Sequence, residues 1–250
     1  MDRWTGKVAL VTGASSGIGA AISIELVKYG IVVIGFARRL DRLQKLEKEL
    51  SNEKGKFVPL QGDISKEQSI INAFKWIQVN YSGVDILVNN SGILRNSNLT
   101  DGKTDDWKAI FDVNVIGLCI ATREACKSMK ERDVNGHIIN INSLSGHRIP
   151  ASVEDTNVYP ASKYAVTAIT ETLRRELLHQ KTKIKVTSIS PGLVKTEIAE
   201  AGNSQALTER MASVRPLDPE DIASAVIFTL STPPHALVEE IRIRPLEQPI

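Results

Sequence analysis

Val8-Ala9-Leu10-Val11-Thr12-Gly13-Ala14-Ser15-Ser16-Gly17-Ile18-Gly19 opens as a short apolar, β-branched run, breaks at a glycine and resumes at helical spacing. Ile18, Ala21, Ile22, Glu25 and Leu26 form a mostly apolar stripe at that spacing, so the stretch reads as strand, turn and helix. Its glycines depart from Gly-x-Gly-x-x-Gly, the spacing here being Gly13-x-x-x-Gly17-x-Gly19. The longer first interval widens the turn, while Gly17 and Gly19 let a ligand come close to the backbone at the helix start. Unpaired N–H groups and the positive end of the helix dipole meet at that point. The turn, with Ser15, Ser16 and Ile18 in it, therefore suits the pyrophosphate of a dinucleotide. No Gly-Lys-Ser/Thr ends it, which excludes a nucleotide triphosphatase loop.

Beyond this unit, β-branched runs keep alternating with stretches of helical period. Strands are expected at 32–36, 57–61, 86–88, 137–141, 185–190 and 240–243 besides the first. The alternation predicts an α/β fold, a Rossmann-like doubly wound parallel sheet of about seven strands with helices on both faces. At 250 residues one domain, 1–250, holds it. Right-handed crossovers bring the loops to the carboxyl ends of the strands, where Gly13, Arg38, Asp63, Asn89, Ser143 and Pro191-Gly192 would all converge. Ser65-Lys66-Glu67-Gln68 is expected to form a capping box on the third helix. Residues 197–214, rich in small and polar side chains, are the candidate substrate lid.

Composition narrows the partners. Apolar residues make up 42% and charged residues 24%, and Lys and Arg exceed Asp and Glu by only 31 − 29 = 2, which argues against nucleic acid. No apolar run reaches the roughly 18 residues of a membrane span, and no export signal precedes the first strand. Cys119 and Cys126 are expected to be reduced, since seven residues on one helix hold them too far apart for a disulfide. With two cysteines a metal site is not expected, and the compartment that fits is the cytoplasm.

Ala37-Arg38-Arg39 stands where dinucleotide folds that take the unphosphorylated cofactor place an acid on the ribose 2′-hydroxyl. A guanidinium there matches a 2′-phosphate and so NADP(H). Asp63, before Ile64, can accept from the adenine amino group, and Asn90 and Gly92 lie where the cofactor ribose approaches. Tyr159 and Lys163 are four apart on one helix, with Pro160 suited to its first turn, so an ammonium stands beside a phenol that otherwise titrates near ~10. Ser143 ends a strand facing the same rim. A serine hydrolase is a poor fit, because Gly-x-Ser-x-Gly is missing and His137, His147, His179 and His235 show no partner pattern. His147 is read as a surface loop residue.

Taken together, Gly13-x-x-x-Gly17-x-Gly19, Asn89-Asn90-Ser91-Gly92, Ser143 and Tyr159-Pro160-Ala161-Ser162-Lys163 resemble the short-chain dehydrogenase/reductase family of about 250 residues, from Lys7 to the C-terminus. Thr122-Arg123-Glu124-Ala125, the stretch 138–148 and Arg244-Pro245-Leu246-Glu247-Gln248 are similar to an animal subgroup with insect farnesol dehydrogenases and a vertebrate NADP-dependent carbonyl and steroid reductase. The resemblance implies a catalytic tetrad of Asn114, Ser143, Tyr159 and Lys163. Tyr159 would be the acid/base and Ser143 the hydrogen-bond donor to the substrate oxygen. Lys163 would hold the nicotinamide ribose and lower the Tyr159 pKa, and Asn114 would position a relay water. Pro191, Gly192, Val194 and Thr196 match the loop that touches the carboxamide. Ser91 stands where alanine is common, and 146–157 would form one wall of the substrate pocket. The implied activity is NADP(H)-dependent interconversion of an alcohol and its carbonyl on an apolar isoprenoid, steroid or related compound, in a homodimer or homotetramer. The competing class is a non-catalytic NADP(H)-binding sensor on the same fold.

Overall fold

The computed structural model describes residues 1–149 and 157–248. Seven parallel strands form one sheet in the order β3-β2-β1-β4-β5-β6-β7. They are β1 (Val8–Thr12), β2 (Val32–Ala37), β3 (Lys56–Gln61), β4 (Ile86–Asn89), β5 (His137–Ile141), β6 (Lys185–Pro191) and β7 (Glu240–Ile243). Each expected strand is present, β1, β5 and β7 with the expected ends and the others one residue longer at an end. The order reverses between β1 and β4, which opens a crevice at their carboxyl ends.

Strand alternation builds two cores. Ala9 and Val11 of β1 pack with α1 (Gly17–Lys28), α2 (Leu40–Glu49) and α9 (Pro219–Ser231) on one face. Val8 and Leu10 pack with α3 (Glu67–Tyr81), α5 (Gly117–Glu131) and α6 (Tyr159–His179) on the other. α4 (Thr104–Phe111) runs through a π-turn, Asp112–Ile116, into α5. α7 (Ile198–Ala201) and α8 (Gln205–Ser213) come after β6. The buried Asp85 carboxylate accepts from Val8 N–H at 2.9 Å and Arg132 Nη1 at 3.1 Å, pinning β1 beside the segment that leads into β4.

One expected cap is absent. Lys66, not Ser65, precedes α3, and the Ser65 hydroxyl donates instead to Asp63 Oδ1 at 2.8 Å. Held by that carboxylate one position ahead of the N-cap, the hydroxyl does not cap the helix. A reciprocal arrangement occurs at α9, where Asp218 N–H donates to the Asp221 carboxylate at 2.9 Å.

Candidate active site

The turn from β1 into α1 is held from below by β4. Thr12 Oγ1 accepts from Asn90 N–H at 3.0 Å and Ser91 N–H at 3.1 Å, while Asn90 Nδ2 donates to Thr12 O at 2.9 Å. Asn90 therefore spends its side chain on shaping the turn. Gly13 has φ +68°, and a Cβ on Gly19 would collide with the Gly13 carbonyl and the Asn90 amide. The backbone packs this tightly beneath a cleft of about 510 Å³ that runs along the rim from Arg38 and Arg39, past Gly13, Ser15, Ser16, Gly17 and Ile18, to Tyr159 and Lys163. Asp63, Ile64, Asn90, Gly92 and Thr196 line it too, so its length and exposed N–H groups fit a dinucleotide.

At the far end the two arginines differ. Arg38 is exposed and its guanidinium bonds to none of the described residues, while its carbonyl accepts from Gln61 Nε2 at 3.1 Å. Arg39 is engaged on three sides: Nε donates to Ser15 Oγ at 3.1 Å, Nη2 to Ser16 Oγ at 2.6 Å and Nη1 to Glu197 at 2.8 Å. Arg42 Nη1 holds the same Glu197 carboxylate at 2.6 and 2.8 Å. Hydrogen bonds from Arg39 and then Arg42 keep that carboxyl below its ordinary pKa. Arg42 was legible, being three residues from Arg39 on one helix face. Glu197 was not, because only the fold brings it across.

At the near end, α6 is docked by amides of β5. Asn140 Nδ2 donates to Thr170 Oγ1 at 2.8 Å, and Asn142 Nδ2 to Thr167 Oγ1 at 2.9 Å. Two residues apart on the strand, they share a face and fix which side of α6 meets the cleft. Tyr159 opens the helix and Lys163 lies one turn on, its Nζ 5.9 Å from the Tyr159 ring and donating to Ile141 O at 3.0 Å. Ser143 Oγ accepts from Ser145 N–H at 3.0 Å, capping a single 3₁₀ turn, Leu144–Gly146. Asn114 sits in the π-turn. Its Oδ1 accepts from Ile93 N–H at 2.8 Å, and its Nδ2 donates to Ile93 O at 3.1 Å and Ser162 Oγ at 3.1 Å. Ser162 in turn donates to Tyr159 O at 2.7 Å, a link that motif reading missed.

Burial dominates the electrostatics at this end. Burial pushes the Tyr159 phenol up to about 12, a hydrogen bond with Ser143 opposing it in part. Burial likewise pulls Lys163 down from 10.5 to about 8. Within the protein alone the phenol is thus made less acidic, because desolvating a phenolate costs more than its neighbours return.

A second cavity opens on the other side of Tyr159, lined by Ser143, Leu144, Leu193, Val194, Leu207 and Met211 among others. Tyr159 borders both spaces. Pro191, Gly192, Val194 and Thr196 form its floor, and Leu193 N–H donates to Gln248 Oε1 at 2.9 Å. α7 and α8 cover it, tied to the segment after β4 by Asn96 N–H to Gly202 O at 2.8 Å and Asn96 Nδ2 to Asn203 O at 2.8 Å. Of the wall expected at 146–157, residues 150–156 lie outside the described residues.

His147 is no surface loop residue. Its Nε2 lies 2.6 Å from Glu240 Oε1 and 3.0 Å from Ser190 Oγ, fastening the 3₁₀ turn to β6 and β7 and away from both cavities. Cys119 and Cys126 are free thiols. Among the described residues no cluster of His, Cys, Asp and Glu could hold a metal, and no helix is long and apolar enough to cross a membrane.

Known proteins share this geometry. Residues 7–207 match the profile of the short chain dehydrogenase family. The chain is 47% identical over 257 residues to dehydrogenase/reductase SDR family member 11 of Bos taurus, covering 99% of each. It is 47% identical over 248 residues to a farnesol dehydrogenase of Aedes aegypti, covering 98% of each. Among solved structures, the closed form of a serine dehydrogenase complexed with NADP+ superposes with a TM-score of 0.88 at 31% identity, over 97% of this chain and 96% of that one. An alcohol dehydrogenase from the archaeon Thermococcus sibiricus, complexed with 5-hydroxy-NADP, gives 0.85 at 26% identity over 98% of each.

Proposed function

Because this chain belongs to the short-chain dehydrogenase family, oxidoreductases that act on CH–OH groups, we propose that it interconverts an alcohol and its aldehyde or ketone on an apolar substrate with NADP(H). One observation carries the reading: Tyr159 stands on the boundary between a cleft shaped for a dinucleotide and an apolar cavity, with Ser143 on the cavity side and Lys163 on the cleft side. A proton donor placed there reaches a carbonyl oxygen while its carbon faces the cofactor. Two of the relatives' names, farnesol dehydrogenase and serine dehydrogenase, mark alcohol oxidation as a chemistry of related chains.

Gly13, Ser15, Ser16, Gly17, Ile18 and Gly19 receive the pyrophosphate, Asp63 and Ile64 the adenine, Asn90 and Gly92 the adjoining ribose, and Arg38 and Arg39 the 2′-phosphate. Lys163 holds the nicotinamide ribose, and Pro191, Gly192, Val194 and Thr196 the carboxamide. When bound, the nicotinamide supplies or accepts the hydride. Tyr159, a neutral phenol at physiological pH with a pKa near 12, donates its proton to the developing alkoxide, and Ser143 donates a hydrogen bond to the same oxygen. Asn114, its amide engaged by Ile93 and by Ser162, which donates to Tyr159 O, acts as a positioning residue for Tyr159. Residues 197–214 close over the substrate as a lid. Free thiols fit a cytosolic setting.

Replacing Tyr159 by Phe tests the assignment. Turnover of a broad carbonyl panel with NADPH should fall by at least about 10³-fold, while NADPH affinity by fluorescence titration stays within about threefold. Undiminished turnover would remove Tyr159 from the mechanism. Nucleotide binding with no turnover by the unmodified protein would favour the sensor instead.

A further inference from the structure

The apolar cavity beside Tyr159 is unbalanced in charge. Among the described residues its lining includes one ionised side chain, Arg210 of α8, and no carboxylate. Arg210 is half-buried, and its guanidinium makes no hydrogen bond or ion pair with any described residue; only its backbone carbonyl is engaged, by Ser213 Oγ at 2.9 Å. The neighbouring acid on α8, Glu209, is exposed and accepts from Gln205 Nε2 at 2.8 Å. Burial and then the like charge of Arg148 both press against the ionised form of Arg210. Elsewhere on the rim Arg39 and Arg42 share Glu197 and Arg95 lies 3.9 Å from Asp106, while Arg38, also without a side-chain partner among the described residues, is exposed to solvent. A cation left partly desolvated over an apolar cavity is unfavourable until an anion enters, and a planar guanidinium matches a carboxylate in two parallel hydrogen bonds.

We propose that the substrate is an apolar chain bearing a carboxylate, which Arg210 holds at one end of the cavity while the reacting carbon lies at Ser143 and Tyr159. The inference rests on the oxidoreductase reading above and adds the substrate's chemical class to it. Arg210 touches the substrate but not the reacting atoms, and the carboxylate passes through the two-electron change unaltered. Leu144, Leu193, Leu207 and Met211 contact the chain between the two ends.

Steady-state reduction with NADPH of ω-oxo acids of roughly six to twelve carbons, each beside its methyl ester, tests the proposal. At the best length the acid should exceed the ester in kcat/KM by roughly ten- to a hundredfold, chiefly through KM. Arg210→Gln should cut that acid-to-ester ratio by at least about tenfold, and Arg210→Lys should recover part of it. Equal kcat/KM for acid and ester at every length would overturn the proposal and leave the oxidoreductase reading intact. A loss of NADPH affinity in Arg210→Gln matching the loss of turnover would assign the guanidinium to the cofactor and overturn it too. If NADPH binds and neither acid nor ester is reduced while members of the broad carbonyl panel are, this inference falls and the oxidoreductase reading stands.

Discussion

Lys163 is a buried ammonium with a single carbonyl acceptor, Ile141 O, and burial lowers its pKa from 10.5 to about 8. Between those values the unfolded chain binds a proton that the folded chain has released, so folding gains stability as pH rises through that window. Below about pH 8 the buried charge costs about 3 kcal/mol relative to a neutral side chain. Tyr159 has the opposite sign: its pKa rises from 10 to about 12, so stability falls as pH climbs past 10. Lys163→Met should therefore be more stable than the parent at pH 7 by up to about 3 kcal/mol, with the difference shrinking from pH 8 upward and gone above pH 10.5. Urea melts of the nucleotide-free protein at pH 7, 9 and 10.5 check this; a constant difference would mean that Lys163 keeps its ordinary pKa in the fold. Residue by residue, the Tyr159 and Lys163 pair was legible from its helical spacing. The direction of its electrostatics was not, since that depends on how deeply each group is buried.

Among the elements, the loop after β6 and the first turn of α2 meet through Glu197, which bridges Arg39 and Arg42. These side chains are each more than a third exposed, so each pair contributes only ~0–1 kcal/mol. A 2′-phosphate arriving at Arg39 competes with that carboxylate for the same guanidinium. Glu197→Gln should accordingly tighten NADPH by about two- to fivefold and leave NADH nearly unchanged, whereas Arg39→Gln should weaken NADPH far more than NADH. Fluorescence titration of both variants with both nucleotides measures the four constants. A tighter NADH in Glu197→Gln would show that the carboxylate opposes the cofactor in general and not its 2′-phosphate. The arginines could be placed from Ala37-Arg38-Arg39 following a strand. The partner of Arg39 lies 158 residues further on and carries no local signal.

On the scale of the whole molecule, the outer side of α6 presents Ala161, Tyr164 and Ala168, and the π-turn beside it presents Ile116 at 50% exposure. Val166, on the inner side of the same helix, is fully buried and unavailable to a partner. Small residues flanking exposed apolar ones allow two such faces to pack closely, so light scattering at micromolar concentration should give a dimer or tetramer mass. Ala161→Arg with Ala168→Arg should shift it toward the monomer without altering the far-UV spectrum. A monomeric parent protein would remove the interface. By itself the sequence determined the parallel sheet and its seven strands, the cradle at Gly13–Gly19, and which side chains end at the sheet's carboxyl rim. Those come from periodicity, glycine placement and the handedness of crossovers, all written in local spacing. Only the tertiary structure decided that Glu197 occupies Arg39, that Asn114 and Ser162 brace Tyr159, that the phenol rises to about 12, and that Arg210 faces an apolar cavity without a counter-charge among the described residues. Burial and long-range pairing set those terms, and both exist only once distant segments are packed against each other.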